Sequence, residues 1–338
     1  MKVLSLVNLG LEKVALREIK ELTGADASVK GSSLIFETDK LDNYFAHAQA
    51  VRRVCVYLGS FSSVEDLDLS TEDFNWEEYF KEDKSFKIEV DNVKGADNRL
   101  ELARNTAQKF YDLFKEKLSF EPKLELKHPN ILVILTKQDD KYYLGVSLSK
   151  EDINSRHYRV FTNPASFKGD FAYNLVRKLD VKAEEKVLFN FVKDGTIAIE
   201  AALFVNKIPL RGNIENGDEN KIFATDVSRQ NVTAARKNSQ LAKTSQCLEI
   251  NKFDLDELDV RYDKEYFDKL FFYLTTKDED KINEVYYQAK YILKNGGMMM
   301  ILTRDSFELS ISDNFKLISE EILVRGDCQS KVWLLEKK

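Results

Sequence analysis

Lys186–Leu203, KVLFNFVKDGTIAIEAAL, is the stretch on which the fold turns. Val187–Phe189 is an apolar, strand-like run, and Gly195-Thr196 opens a helix that reads IAIEAALF. A strand feeding a glycine-containing turn and a helix N-terminus is how α/β proteins present backbone N–H groups to a nucleotide-like ligand. Between strand and helix, however, stand Asn190, Phe191, Val192, Lys193 and Asp194. A backbone that must pass close to a ligand wants glycine and small residues there. The sequence therefore predicts the scaffold of a cofactor site with the wrong residues in its loop.

From Phe171 onward, helical and buried-strand patterns alternate around that stretch. FAYNLVRKL reads as a helix, KIFATD as a strand and SRQNVTAARKNSQLA as a helix. CLEINKFD and DKLFFYLT follow as strands, then KINEVYYQAKYILKNGG as a helix expected to stop at Gly296-Gly297. MMMILTR, FKLISEEILV and KVWLLEK close the pattern as strands. Such alternation predicts a doubly wound, Rossmann-type sheet over 170–338. The first third has a different rhythm. Strand-like KVLSLVNL, SSLIFET and RRVCVYLGSF alternate with helical GLEKVALREIKELTG and LDNYFAHAQAV, a ferredoxin-like α+β order over 1–75. A second α+β unit is expected over 76–150, with strands SFKIEVDNV, LELKHPNILVILTKQ and KYYLGVSLS around the amphipathic DNRLELARNTAQKFYDLFKEKL. The polar segment INSRHYRVFTNPASFKGD, with Pro164, marks a linker at 151–169.

The 338 residues suffice for two or three domains, and 43% hydrophobic with 32% charged residues is ordinary globular composition. Apolar runs such as Met298–Leu302 fall far short of the ~18 residues of a membrane span. MKVLSLVNLGLEKV reads as a first strand and not as a signal peptide. Cys55, Cys247 and Cys328 form no CxxC pair, and His47, His128 and His157 are scattered, so no metal site is expected. This usage fits a reducing cytoplasm. The net charge of −6 hides no basic half, so any nucleic-acid footprint must be a local patch.

Taken in order, LGLEKVALREIKEL, the block Phe86–Gly145, SRHYRVFTNPASFKGDFAYNLV, DGTIAIEAAL, ATDVSRQNVTAARKNSQLA and LKNGG cover most of the chain. Together they resemble the THUMP-domain tRNA and rRNA guanine-N2 methyltransferases, which use S-adenosylmethionine, and most closely the archaeal-type enzymes of the tRNA acceptor stem. The resemblance implies that a THUMP domain with its ferredoxin-like neighbour holds the single-stranded 3′ end of tRNA. Cations for phosphates and rings for splayed bases suit that task. The candidate RNA contacts are Lys94, Arg99 and Arg104 at the start of the long helix, and Arg156, His157, Tyr158 and Arg159 in the connector. A solvated charged face would carry such residues as well.

The resemblance also implies where chemistry should sit. The family's Asp-Pro-(Phe or Met)-Cys-Gly-Ser-Gly-Thr run falls on Phe189–Thr196, where only Gly195 and Thr196 survive. The missing acid would face the methionine ammonium, and Lys193 brings a cation toward a sulfonium. Phe189 reads as a core residue. Asp226 matches the acid that holds ribose hydroxyls, and Asp254 the one that reads the adenine amine. Equally, Asp226 with Ser228 would cap the next helix, and Asp254 lies in a run of surface carboxylates. The catalytic (Asp or Asn)-Pro-Pro-(Phe or Tyr) turn falls on Tyr273, Leu274, Thr275 and Thr276, which offer neither the amide or carboxyl acceptor nor the prolines. The expectation is a tRNA-binding pseudoenzyme without cofactor, acting as an RNA-binding or partner subunit of a tRNA-modifying enzyme. The alternative is an active S-adenosylmethionine-dependent tRNA methyltransferase holding its cofactor with Gly195, Thr196, Asp226 and Asp254. A different small ligand touching Lys193 and Asp194 is a third reading.

Overall fold

The computed structural model describes all residues except 70–73, 119, 213–219, 305–306 and 326–327. Contacts divide the chain into two units, Met1–Ile153 and Asn154–Lys338.

The first unit opens with β1 (Lys2–Leu6), α1 (Glu12–Thr23), β2 (Ser28–Lys30), β3 (Ser33–Glu37), α2 (Leu41–His47) and β4 (Arg53–Phe61), the expected order with the short β2 added. Gly24, at φ 79°, ends α1 in the left-handed conformation that costs glycine little. The short α3 (Trp76–Tyr79) leads to β5 (Ser85–Asp91), α4 (Ala96–Lys117), β6 (Lys123–Leu124), β7 (Ile131–Gln138) and β8 (Lys141–Ser147). All eight strands share one sheet in the order β2-β3-β1-β4-β8-β7-β5-β6. Hydrogen bonding thus runs unbroken from the strands of residues 2–61 into those of residues 85–147, through the antiparallel β4–β8 pair. Phe110 and Phe114 of α4 pack on Phe86 of β5 and on Phe80, an aromatic cluster that fixes the helix on one face of the sheet.

The second unit contains α5 (Gly169–Lys178), β9 (Val187–Asn190), α6 (Thr196–Val205), β10 (Ile222–Thr225), α7 (Arg229–Leu241), β11 (Leu248–Asn251), the one-turn α8 (Leu258–Arg261), β12 (Phe267–Tyr273), α9 (Glu279–Ile292), β13 (Leu293–Arg304), β14 (Phe315–Arg325) and β15 (Cys328–Lys337). Its sheet runs β11-β10-β9-β12-β13-β15-β14. The first five strands are parallel, and β15 joins antiparallel to β13. β9 and β10 are buried at every position, as strands covered by helices on both faces must be. One expectation fails here. Gly296-Gly297 does not stop the last helix, because α9 ends at Ile292 and Leu293–Gly297 already belong to β13. Leu293 is extended and pairs with Phe267 of β12, so the sheet takes the chain before the glycines are reached. No helix among the described residues is long and apolar enough to cross a membrane.

Candidate functional site

Strand order reverses between β9 and β12, which makes their C-terminal ends, Asn190 and Tyr273, the place where open α/β sheets bind ligands. The loop after β9 has left-handed backbone at three positions: Phe191 (φ 61°), Lys193 (φ 56°) and Gly195 (φ 83°). Lysine pays about 1–2 kcal/mol for that conformation where glycine would not. Two anchors hold it. The Lys193 N–H donates to Asp226 Oδ2 at 3.0 Å, and the neighbouring Asp194 side chain is completely buried and fixed. The loop is thus left-handed at Lys193, the position that glycine holds in the family run.

Asp194 Oδ1 accepts from the Thr196 N–H (3.2 Å) and hydroxyl (2.7 Å), capping the start of α6. Its Oδ2 accepts from the Arg159 guanidinium at 3.2 Å. Asp226, also buried, accepts from Ser228 N and Asn231 Nδ2 on Oδ1, both at 2.9 Å, besides Lys193 N on Oδ2. It ties the end of β10 to the start of α7, while Ser228 caps that helix. Gly195 survives for a reason of packing: a Cβ there would lie 2.8 Å from the Ala235 Cβ of α7. Asp254 is exposed and forms a capping box with Glu257, whose carboxylate accepts from the Asp254 N–H at 2.8 Å. The four residues expected around a cofactor thus have structural work of their own.

The segment matching the catalytic turn is a strand-to-helix connection. The Tyr273 ring lies 5.0 Å from that of Phe167. Leu274 is buried and extends the β12–β13 pairing through its N–H to the Leu302 carbonyl. Thr275 is exposed, and the Thr276 hydroxyl accepts from Asp278 N at 3.2 Å as α9 approaches. Asp278 then caps α9 by accepting from Asp280 N. Across the crevice mouth, Lys281 Nζ lies 4.9 Å from the Phe191 ring centroid.

The connector corrects part of the RNA expectation. Arg156 and Tyr158 are buried, not presented to a ligand. Arg156 donates to both oxygens of Glu200 in α6 (2.8 and 2.9 Å), and the Tyr158 hydroxyl donates to the same carboxylate at 2.5 Å. Burial opposes the Arg156 charge, but the Glu200 carboxylate outweighs it and holds the guanidinium above its usual pKa. The Tyr158 phenol is raised by burial and by Glu200. Gly169 is small because any Cβ there would collide with the Arg156 side chain. Arg159 is the ion-pair partner of Asp194. Of the four, only His157 is exposed; partial desolvation, Arg211 and Arg156 push its pKa down. From Asn154 onward the segment is built into the second unit, through Asn154–Asp170, Asn163–Asn231 and Phe161–Asn238 contacts.

In the first unit, Lys94, Arg99 and Arg104 are exposed. Lys94 lines a groove of about 640 Å³ with Asn98 and Asn105 of α4 and with Lys137 and Tyr142. Arg99 donates to the Val93 carbonyl at 3.0 Å, and neither it nor Arg104 lines the groove. Lys137 and Tyr142, which come from β7 and β8, escaped sequence reading because only the sheet brings them beside α4.

Residues 61–147 match the THUMP domain, and residues 156–310 match the UPF0020 family, described as RMKL-like, methyltransferase domain. A tRNA (guanine(6)-N2)-methyltransferase of Archaeoglobus fulgidus is 23% identical over 75% of this chain and 70% of its own. Among solved structures, TrmN from Thermus thermophilus superposes with a TM-score of 0.78 at 19% identity, over 100% of this chain and 99% of that one. SMU.472, solved with SAH, superposes with a TM-score of 0.77 at 15% identity, over 100% and 98%. At these identities the superpositions establish the fold. The chain pairs a THUMP domain with a Rossmann-like methyltransferase domain. Over most of its length it is similar to the archaeal protein named tRNA (guanine(6)-N2)-methyltransferase.

Proposed function

We propose that this protein is a tRNA-binding member of its family that does not transfer methyl groups and serves as an RNA-holding partner of a separate tRNA-modifying enzyme in the cytoplasm. In this reading 1–75 and 76–150 hold single-stranded RNA, and 151–169 joins them to the methyltransferase-like domain 170–338. The observation that carries it is the commitment of both crevice acids to the chain's own donors: Asp226 to Lys193 N, Ser228 N and Asn231, and Asp194 to Thr196 and Arg159. The residues present do not fit a sulfonium nucleoside. Phe189 is buried in the sheet where the family acid would meet the ligand ammonium, and Lys193 stands on the glycine position. Tyr273–Thr276 supply no side-chain amide or carboxylate to orient a guanine amine. Loss of a single preorganised transition-state group typically slows a reaction by ~100 to 1000-fold, and several are missing together.

The second reading, an active S-adenosylmethionine-dependent tRNA methyltransferase, draws support from the retained left-handed backbone at Phe191, Lys193 and Gly195, from the position of Asp226, and from the activity for which the archaeal relative is named. Calorimetric titration separates the two. S-adenosylmethionine and SAH are expected to give no binding heat, and unmodified tRNA no methyl uptake. Micromolar cofactor binding or methyl transfer would overturn the inactive reading. Absence of tRNA binding at moderate salt would overturn the RNA-holding one.

A further inference from the structure

We infer that Phe161, with Lys237 of α7 beside it, forms a nucleobase-stacking contact on the methyltransferase-like domain, its ring receiving an unstacked RNA base and its lysine the attached phosphate. The inference rests on the RNA-binding reading above and names a contact point outside the THUMP region. Phe161 is 39% exposed and the adjoining Val160 62%, so the ring is accessible from solvent. Lys237 is exposed, with Nζ 4.6 Å from the Phe161 ring centroid.

The ring is not on a loose loop. The fully buried Asn238 accepts from the Phe161 N–H through Oδ1 at 3.0 Å and donates through Nδ2 to the Phe161 carbonyl, also at 3.0 Å. A backbone pinned at both polar groups presents its side chain with little ordering entropy left to lose on binding. Nδ2 also donates to the Asp194 carbonyl at 2.9 Å, so one amide fixes the exposed ring to the crevice loop. A ring flanked by a lysine suits a base and its phosphate better than an apolar protein surface. Stacking on an aromatic is sequence-tolerant and is worth about 1–3 kcal/mol per base.

The test uses the full chain and a fluorescently labelled, unmodified tRNA transcript, with affinity read by anisotropy across a salt series. Phe161→Leu keeps apolar bulk without the π face and is expected to weaken binding by roughly 5- to 150-fold. Phe161→Trp should retain affinity, and neither change should alter the salt slope. Lys237→Gln should flatten the log–log slope by about one. Asn238, as a positioning residue, should match Phe161→Leu on substitution to Ala, and melting curves will show whether that variant folds. If the wild type binds tRNA and Phe161→Leu binds equally well, the stacking contact is wrong while the RNA reading stands. If the wild type binds no tRNA, both fall.

Discussion

At the scale of single residues, the loop after β9 separates conformation from chemistry. Lys193 holds a left-handed φ of 56° and Gly195 one of 83°. Lys193→Gly should therefore leave stability within about 1 kcal/mol of wild type, since relief of the left-handed strain is offset by glycine's greater unfolded-state entropy. Gly195→Ala adds a Cβ 2.8 Å from Ala235 as well as strain, and should cost about 2–4 kcal/mol in urea denaturation. Arg156 invites a sharper contrast. Its sequence context suggested RNA, but its fork is spent on buried Glu200. Arg156→Ala should destabilise the fold by about 3–5 kcal/mol, since it leaves a buried carboxylate unpaired. The salt slope of tRNA binding should not move. His157 carries a pH signature. Because its folded pKa lies below 6.5, the unfolded chain takes up the proton first. Stability attributable to it is present above pH 6.5 and is lost as pH falls from there through the folded pKa. An NMR titration should find this imidazole titrating below the ordinary histidine value, and His157→Gln should remove its share of the slope.

Among the elements, β10 and α7 show how a ligand-type position can serve architecture. Asp226 accepts three hydrogen bonds that join the end of β10, the β9 loop and the first turn of α7. Asp226→Ala should cost about 2–3 kcal/mol by stranding those donors, with or without S-adenosylmethionine in the buffer, whereas Asn should cost less by keeping an acceptor. Thermal melts of both variants with and without added cofactor will check this; a cofactor-dependent difference would assign Asp226 to ligand binding instead. Elements were largely legible in advance because apolar periodicity and capping are local properties. Gly24 ends α1 and Ser228 caps α7 as their sequences suggest. The exception, α9, ended early because the pairing of Leu293 with Phe267 of β12 is a tertiary matter that the glycine pair downstream does not report.

For the molecule as a whole, two units with their own aromatic and aliphatic cores should not melt as one. Differential scanning calorimetry is expected to need at least two transitions, and a single two-state transition would contradict the division at Ile153/Asn154. The sequence by itself determined the α/β class, most of the order of elements and the resemblance to THUMP-domain methyltransferases, because strand and helix periods and the order of motif blocks survive in one dimension. It also exposed the substitutions in the loop and the catalytic turn. What each charged side chain does was decided only in three dimensions. Arg156, Tyr158 and Arg159 stand in a polar-looking run, yet their partners, Glu200 and Asp194, lie tens of residues away in sequence, and only packing buries them together. Phe161 followed the opposite course, since nothing local shows that an apolar ring will be held outside by a buried asparagine on another element. Hydrophobic pattern is a property of neighbours along the chain, and the satisfaction of a buried charge is a property of neighbours in space.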